Sequence, residues 1–276
     1  MTDRALPEVG RIAILGGGNL GRALALGWSG TGGMPPAAIT VTRRDLEKVA
    51  DLAERGMRIT DDNAAAVANA DTIVVSVLPQ QVGGLLREIR PALDSDRHRI
   101  VSVATGVSIA SMREALGADT GVPLVRAMPN TAVPIGEAMT CLAVQEGDEE
   151  ALEVAEALFE LVGRTLILEE SMMTPATALC ACGVAFFLRC VRAASQGGIE
   201  IGFHPEEALL LAAQTARGAA SLVLEGGAHP ESEIDRVTTP RGCTIAGLNE
   251  MEHRGLSSAL IRGIVASARK AEDLAS

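Results

Sequence analysis

Arg11-Ile-Ala-Ile-Leu-Gly-Gly-Gly-Asn-Leu-Gly21 sets the architecture of this chain. Its short apolar run, residues 11–15, stops at glycines, which is the pattern of a buried strand. The Ala- and Leu-rich stretch that follows, through Trp28, reads as a helix. Between them lies Gly16-x-Gly18-x-x-Gly21, the spacing of a dinucleotide-binding turn. Gly16 permits the tight turn, Gly18 lets the backbone approach a pyrophosphate, and Gly21 lets helix pack on strand. Asn19 and Leu20 then stand where the helix begins, and its free N–H groups and dipole favour an anion.

Outward from this unit, the same alternation repeats. Ile39–Thr42, Thr72–Leu78, Ile100–Ala104, Leu124–Met128 and Met139–Val144 read as strands, with helical segments near 45–55 and 80–90. Strands alternating with helices predict an α/β domain with a doubly wound parallel sheet of Rossmann type. After a helix over Glu149–Leu161 and a last strand over Arg164–Leu168, only helices are expected: 171–201, 205–225, 244–254 and 256–273. We therefore expect a nucleotide-binding domain over residues 1–168 and an all-helical domain over 169–276. The helical part is so rich in apolar and small residues that a dimer formed through it is expected, the plainer reading being a bundle packed on its own sheet domain.

With 276 residues and 47% hydrophobic content, the chain is long enough for a full core. A net charge of −11, no Tyr and a single Trp argue against nucleic-acid binding. Lys48 and Lys270 are the only lysines, so Arg carries nearly all the positive charge. No run was expected to approach the eighteen or so apolar residues of a membrane span, and Met1–Pro7 lacks a signal pattern, so the expected location is the cytoplasm. The five cysteines form no CxxC pair, which points to neither a disulfide framework nor a zinc site. No metal is expected. His98, His204, His229 and His253 are read as structural or solvent-facing.

The second strand ends in Thr42-Arg43-Arg44, where an NAD enzyme commonly carries an acidic residue for the ribose hydroxyls. Arg pairs bidentately with phosphate and Thr donates a further bond, so NADPH is favoured over NADH; a solvated loop face is the plainer reading. Val77-Leu78-Pro79 and Ala104-Thr105-Gly106 end two further strands on the same sheet edge, where the nicotinamide is expected.

A second segment, Arg236 to Met251, is Gly- and Thr-rich and opens a helix, an arrangement that suits a carboxylate. Together with Ile14–Gly21, Val125-Arg-Ala-Met-Pro-Asn-Thr131, Thr177–Phe186 and His229-Pro230, its Val237–Thr244 portion resembles the pyrroline-5-carboxylate reductase family over nearly the whole chain. The resemblance implies hydride transfer from NAD(P)H to the C=N carbon of 1-pyrroline-5-carboxylate, giving L-proline. It also implies a swapped helical dimer, sometimes built further into a decamer, with active sites drawn from both chains. By matching positions, Thr239, Gly242, the backbone N–H of Cys243, and Thr244 grip the carboxylate. Thr177 contacts the ring nitrogen, and Met128, Pro129 and Asn130 floor the nicotinamide site. Capping for Thr239 or Thr244 and helix back-bonding for Thr177 are the plainer readings.

The chain departs from the family at Leu20, where Met is usual, at Leu78, where Lys is frequent, and at Ala132, where Pro follows the Asn-Thr pair. It departs again at Cys182 and Val184, in place of Ser and Pro, and at Arg241, in place of Gly. Two other functions fit parts of the pattern: a reductase of another cyclic imine or small keto acid, and a non-catalytic NADPH-binding sensor.

Overall fold

A computed structural model describes residues 9–275 apart from 31 and 118; the Met1–Pro7 segment lies outside the described residues. The chain divides into two compact units, one running to Ala181 and including the chain end from Ala268, the other spanning Cys182–Ser267.

The first unit is built on one eight-stranded sheet in the order β3-β2-β1-β4-β5-β6-β7-β8. The strands are β1 Ile12–Leu15, β2 Ile39–Thr42, β3 Arg58–Thr60, β4 Thr72–Val75, β5 Arg99–Ser102, β6 Leu124–Pro129, β7 Ala138–Val144 and β8 Gly163–Ile167. The helices between them are α1 Asn19–Ser29, α2 Ala50–Glu54, α3 Asn63–Ala68, α4 Pro79–Ile89, α5 Ile109–Leu116 and α6 Glu149–Glu160. The order reverses at β1, which pairs with both β2 and β4 in parallel. Every residue of β1 and β4 is buried, as strands covered on both faces must be. Ile12, Ile14, Trp28, Val41 and Phe159 pack on one face, and Ala13, Leu15, Ile73, Val75 and Leu86 on the other.

The sheet is the doubly wound, mostly parallel one expected, with one antiparallel pair that the sequence reading did not specify. β7 runs antiparallel to β6, with Met128 opposite Cys141. The connection explains the reversal. Residues 130–137 are too few for a parallel crossover, which needs roughly a dozen or more. A second difference is β3, a short edge strand whose Arg58 and Thr60 hide it from an apolar-run search.

Past β8 the chain is helical. α7 Met173–Ala176 runs through a π turn, Thr177–Ala181, into α8 Gly183–Glu200. Then come α9 Pro205–Gly226, α10 Pro230–Val237, α11 Cys243–His253 and α12 Leu256–Ala275. α10 lies between the expected helices 205–225 and 244–254 and was not foreseen. Its Pro-Glu-Ser-Glu start is polar, but His229 caps it by accepting from Glu231 N at 3.3 Å. The helical stretch Glu170–Glu200 is long and apolar enough to cross a membrane by length and composition, against the expectation that no segment approaches that limit.

The unit Cys182–Ser267 has almost no interior of its own: among the described residues only Gly183, Ser195 and Ala208 are buried. Leu188, Leu210 and Ile261 are each more than half exposed. α8 and α9 pack together and leave an apolar groove of about 890 Å³ lined by Phe187, Val191, Ile201, Phe203 and Leu211.

On the sheet side, Trp28 Nε1 donates to Leu158 O at 2.9 Å, and its ring meets Phe159 edge-on at 5.6 Å. Phe159 is fully buried. Phe159→Ala should therefore cost about 4 kcal/mol of stability, as truncation of a core aromatic does. Chemical denaturation checks this; a loss below about 1 kcal/mol would show that the site collapses around the cavity.

Candidate active site

The carboxyl ends of the parallel strands share one edge of the sheet, and the residues expected to hold a dinucleotide gather there. Gly16 turns with φ +112°, and a Cβ on it would lie 2.3 Å from Ser76 O. A Cβ on Gly21 would lie 2.1 Å from Gly16 O, so α1 can approach β1 only as glycine. Gly18 differs: a Cβ there would meet nothing within 4 Å. Its neighbourhood is an open cradle, and α1 begins with no side-chain cap and no acidic residue in its first turn. The N–H groups of Asn19, Leu20 and Gly21 are therefore not competed for by the helix itself. This cradle fits a pyrophosphate.

The end of β2 closes against the same turn. Gly17 N donates to Thr42 O at 2.7 Å, and Gly16 N to Thr42 Oγ1 at 3.3 Å. The Arg43 guanidinium donates to Gly17 O, so this cation is tied to the glycine turn, whereas Arg44 is exposed. Thr42 Oγ1 donates to Asn63 Oδ1 at 2.6 Å, and Asn63 Nδ2 donates to Glu88 Oε1 at 2.9 Å. Sequence reading passed over Asn63. Its one signal was the preceding Asp62, which caps α3 by accepting from Ala65 N at 2.9 Å.

Further along the edge, Val77 is half-buried and Leu78 is 66% exposed, just before Pro79 opens α4. Leu78 N donates to Gln81 Oε1 at 3.4 Å. Past β5, Ala104 is buried, Thr105 is exposed and Gly106 has φ +76°. Thr105 Oγ1 reaches Met128 Sδ at 4.0 Å, which joins this loop to the end of β6. Met128 and Pro129 are buried, and Asn130 turns the chain by accepting from Ala132 N at 3.1 Å through Oδ1.

Thr177 lies over this floor in the π turn, a departure from α-helix that is frequent at functional sites. It is 8% exposed, and its hydroxyl donates to Met173 O at 2.9 Å. That is the helix back-bond weighed from the sequence, and it uses the hydroxyl hydrogen while leaving oxygen lone pairs. Met128, Cys141 and Met173 form the small cluster beneath the turn. Glu170, missed from the sequence, anchors the start of this helical stretch: Arg126 Nη1 and Ile109 N donate to its Oε1 at 2.9 and 2.7 Å. Arg126 is 6% exposed, so the carboxylate partner is required there.

In the helical unit, Thr239–Gly242 is a tight turn closed by Gly242 N donating to Thr239 O at 2.9 Å. Pro240 and Arg241 are its central residues, and Arg241 has φ +60°, the only positive φ outside glycine among the described residues. That is the type II pattern, whose third position normally takes Gly or Asn. Arg241 is exposed. A Cβ on Gly242 would lie 2.5 Å from Thr239 Oγ1, so only glycine lets that hydroxyl sit over the start of α11. Cys243 and Thr244 are the first residues of α11, which has no side-chain cap and no acid in its first turn. Thr239 and the free N–H groups thus make a small anion-favouring surface.

Residues 170–274 match the family described as pyrroline-5-carboxylate reductase dimerisation, and residues 11–106 match NADP oxidoreductase, coenzyme F420-dependent. Two proteins of Dictyostelium discoideum, pyrroline-5-carboxylate reductases 1 and 2, are each 48% identical over 95% and 94% of this chain. The chain spans 49% of the length of the first and 91% of the second. A solved pyrroline-5-carboxylate reductase from Coxiella burnetii superposes with a TM-score of 0.88 at 29% identity, covering 97% of this chain and 99% of that one. The glycine cradle, the turn before α11 and this similarity along almost the full length agree, and the chain belongs to the pyrroline-5-carboxylate reductase family.

Proposed function

We infer that this protein reduces 1-pyrroline-5-carboxylate to L-proline with NADPH, NADH being the weaker donor. The observation that carries the reading is the pair of built anion sites, the open cradle at Gly18 and the uncapped start of α11 beside Thr239. A reductase of a cyclic imino acid needs one for a dinucleotide and one for a carboxylate. Bound NADPH supplies the hydride. The protein's own residues have to bind, orient and exclude water, because a protonated imine already accepts hydride readily.

In this reading Gly16, Gly18, Asn19, Leu20 and Gly21 hold the pyrophosphate, and Thr42, Arg43 and Arg44 the 2′-phosphate. Arg43 is supported by its bond to Gly17 O, which brings a cation to the turn. Val77, Leu78, Pro79, Ala104, Thr105, Gly106, Met128, Pro129 and Asn130 shape the nicotinamide end. Thr239, Gly242, Cys243 and Thr244 grip the carboxylate. Thr177 acts by positioning. Its hydrogen is committed to Met173 O, so its oxygen accepts from the iminium N–H and favours the protonated imine. A neutral hydroxyl is too weak an acid to protonate the ring nitrogen itself.

The same reading assigns residues 1–168 to the nucleotide and 169–276 to substrate and self-association. A homodimer through the helical unit is supported by that unit's lack of an interior and by the groove between α8 and α9. Further assembly to a decamer rests on family resemblance alone. Five free cysteines and the acidic surface support a soluble protein of the cytoplasm. Arg241 and Leu78 favour one alternative, reduction of a related but larger cyclic imino acid.

Purified protein should oxidise NADPH when given 1-pyrroline-5-carboxylate and form proline, and Thr244→Ala should raise the Michaelis constant roughly 10-fold or more while NADPH affinity holds. NADPH binding with no proline formed would redirect the search to other imino acids. Arg43→Ala should weaken NADPH about 10-fold or more and NADH little. An equal loss for both cofactors would remove Arg43 from the 2′-phosphate. Arg241→Gly relieves a left-handed conformation that costs about 1 kcal/mol. It should therefore melt no lower than the parent, yet bind the imino acid severalfold more weakly, with less dependence on salt. An unchanged Michaelis constant would leave the strained Arg241 without a role in substrate binding.

A further inference from the structure

Cys141 and Cys180 are far apart in sequence and meet beneath the π turn. Cys141 lies in β7, is 4% exposed and stands opposite Met128 in the β6–β7 ladder. Cys180 closes over the same ladder: its Sγ lies 3.1 Å from Met139 O and 4.0 Å from Met128 O. Both cysteines pack in one small cluster with Met128 and Met173, and the Asn130 side chain reaches the Cys180 sulfur. None of the proposed chemistry uses either thiol. Cys182, two residues on, and the exposed Cys190 and Cys243 lie in the other compact unit.

We propose that Cys141 and Cys180 are a redox modification site, a thiol pair that a hydroperoxide converts to a reversible disulfide clasping β7 to the π turn. Its neighbour Cys180 holds the Cys141 sulfur below its usual thiol pKa, and the same interaction together with burial pushes Cys180 up. Cys141 is therefore the sulfur that attacks, and Cys180, the less buried of the two, is the partner that closes the disulfide. The Cys141 sulfur bonds to one peroxide oxygen, the O–O bond breaks, and the second oxygen leaves as water or an alcohol. The Cys180 sulfur then displaces the hydroxyl from the sulfenic acid, and its proton leaves with that hydroxyl as water. Two thiols and one hydroperoxide thus give one disulfide, one water and one molecule of water or alcohol.

A disulfide holds its sulfurs about 2.05 Å apart, well inside the reach of a thiol–thiol hydrogen bond. Closing it draws the π turn toward β7, and Thr177 stands one residue short of a full turn before Cys180. A displacement of about 1 Å at a positioning group can cost on the order of 100-fold in rate. The expected effect on turnover rests on the reductase reading; the covalent link does not.

The test treats the purified full-length protein with hydrogen peroxide, maps its peptides without reduction, and follows NADPH oxidation with 1-pyrroline-5-carboxylate. We expect a Cys141–Cys180 cross-linked peptide, a mass loss of two hydrogens, and at least a 10-fold fall in turnover that dithiothreitol restores. Cys141→Ser and Cys180→Ser should each keep their turnover through the same treatment. The idea is overturned if peroxide modifies Cys190 and Cys243 without forming the link, if the link forms and turnover is unchanged, or if the serine variants are inactivated equally. Absence of turnover in the reduced parent would count against the reductase reading, while the peptide map would still decide the link.

Discussion

The rest of the nucleotide unit depends on how closely α1 can approach β1. A Cβ on Gly21 would lie 2.1 Å from Gly16 O, and one on Gly16 would lie 2.3 Å from Ser76 O. Three backbones, those of β1, α1 and the end of β4, therefore meet with no side chain between them. This contact puts the start of α1 at the reversal of strand order, with its N–H groups facing the crevice. It also brings Gly17 within 2.7 Å of Thr42 O, which ties the end of β2 and the Arg43 cation to the same turn. The open space beyond Gly18 is the complement of this tightness. One position of the motif is glycine to let protein in, the other to keep protein out.

The helical unit is governed by the opposite constraint, too little contact. Its helices leave Leu188, Leu210 and Ile261 largely exposed and bury almost nothing among themselves. Apolar surface of that extent is worth roughly 25 cal/mol per Å² when removed from water. Such a chain has a strong drive toward association, and it belongs to a family matched over residues 170–274 by a dimerisation domain.

Much of this was legible in the sequence because it depends on local rules. Short apolar runs, ended by glycine after β1 and by proline after β4, pointed to β1, β4 and β6, and the fingerprint spacing identified the turn between β1 and α1. What stayed hidden depended on distant partners. β3 was missed because an edge strand with Arg58 and Thr60 carries no apolar run. The reversal at β7 followed from the length of the connection over 130–137, which strand composition does not encode. Asn63 and Glu170 were invisible as site residues because their meaning lies in Thr42, Arg126 and Ile109, residues far along the chain. Sequence patterns reveal which face a residue occupies more readily than which polar partner it finds.

Arg241 brings the two levels together. Its turn has Pro240 at the second position and a left-handed third position, where glycine costs nothing and arginine costs about 1 kcal/mol. Stability alone gives no reason for that choice, since the guanidinium is exposed and the packing around it is slight. The strain does have a consequence for geometry. The turn it preserves places Gly242 against Thr239 Oγ1 and leaves the first N–H groups of α11 uncapped. A turn of the same shape with glycine would present these groups to an anion equally well, so the arginine adds charge and not shape. In a protein of net charge −11, a cation carried on an anion-favouring turn lowers the repulsion that an approaching anion meets there.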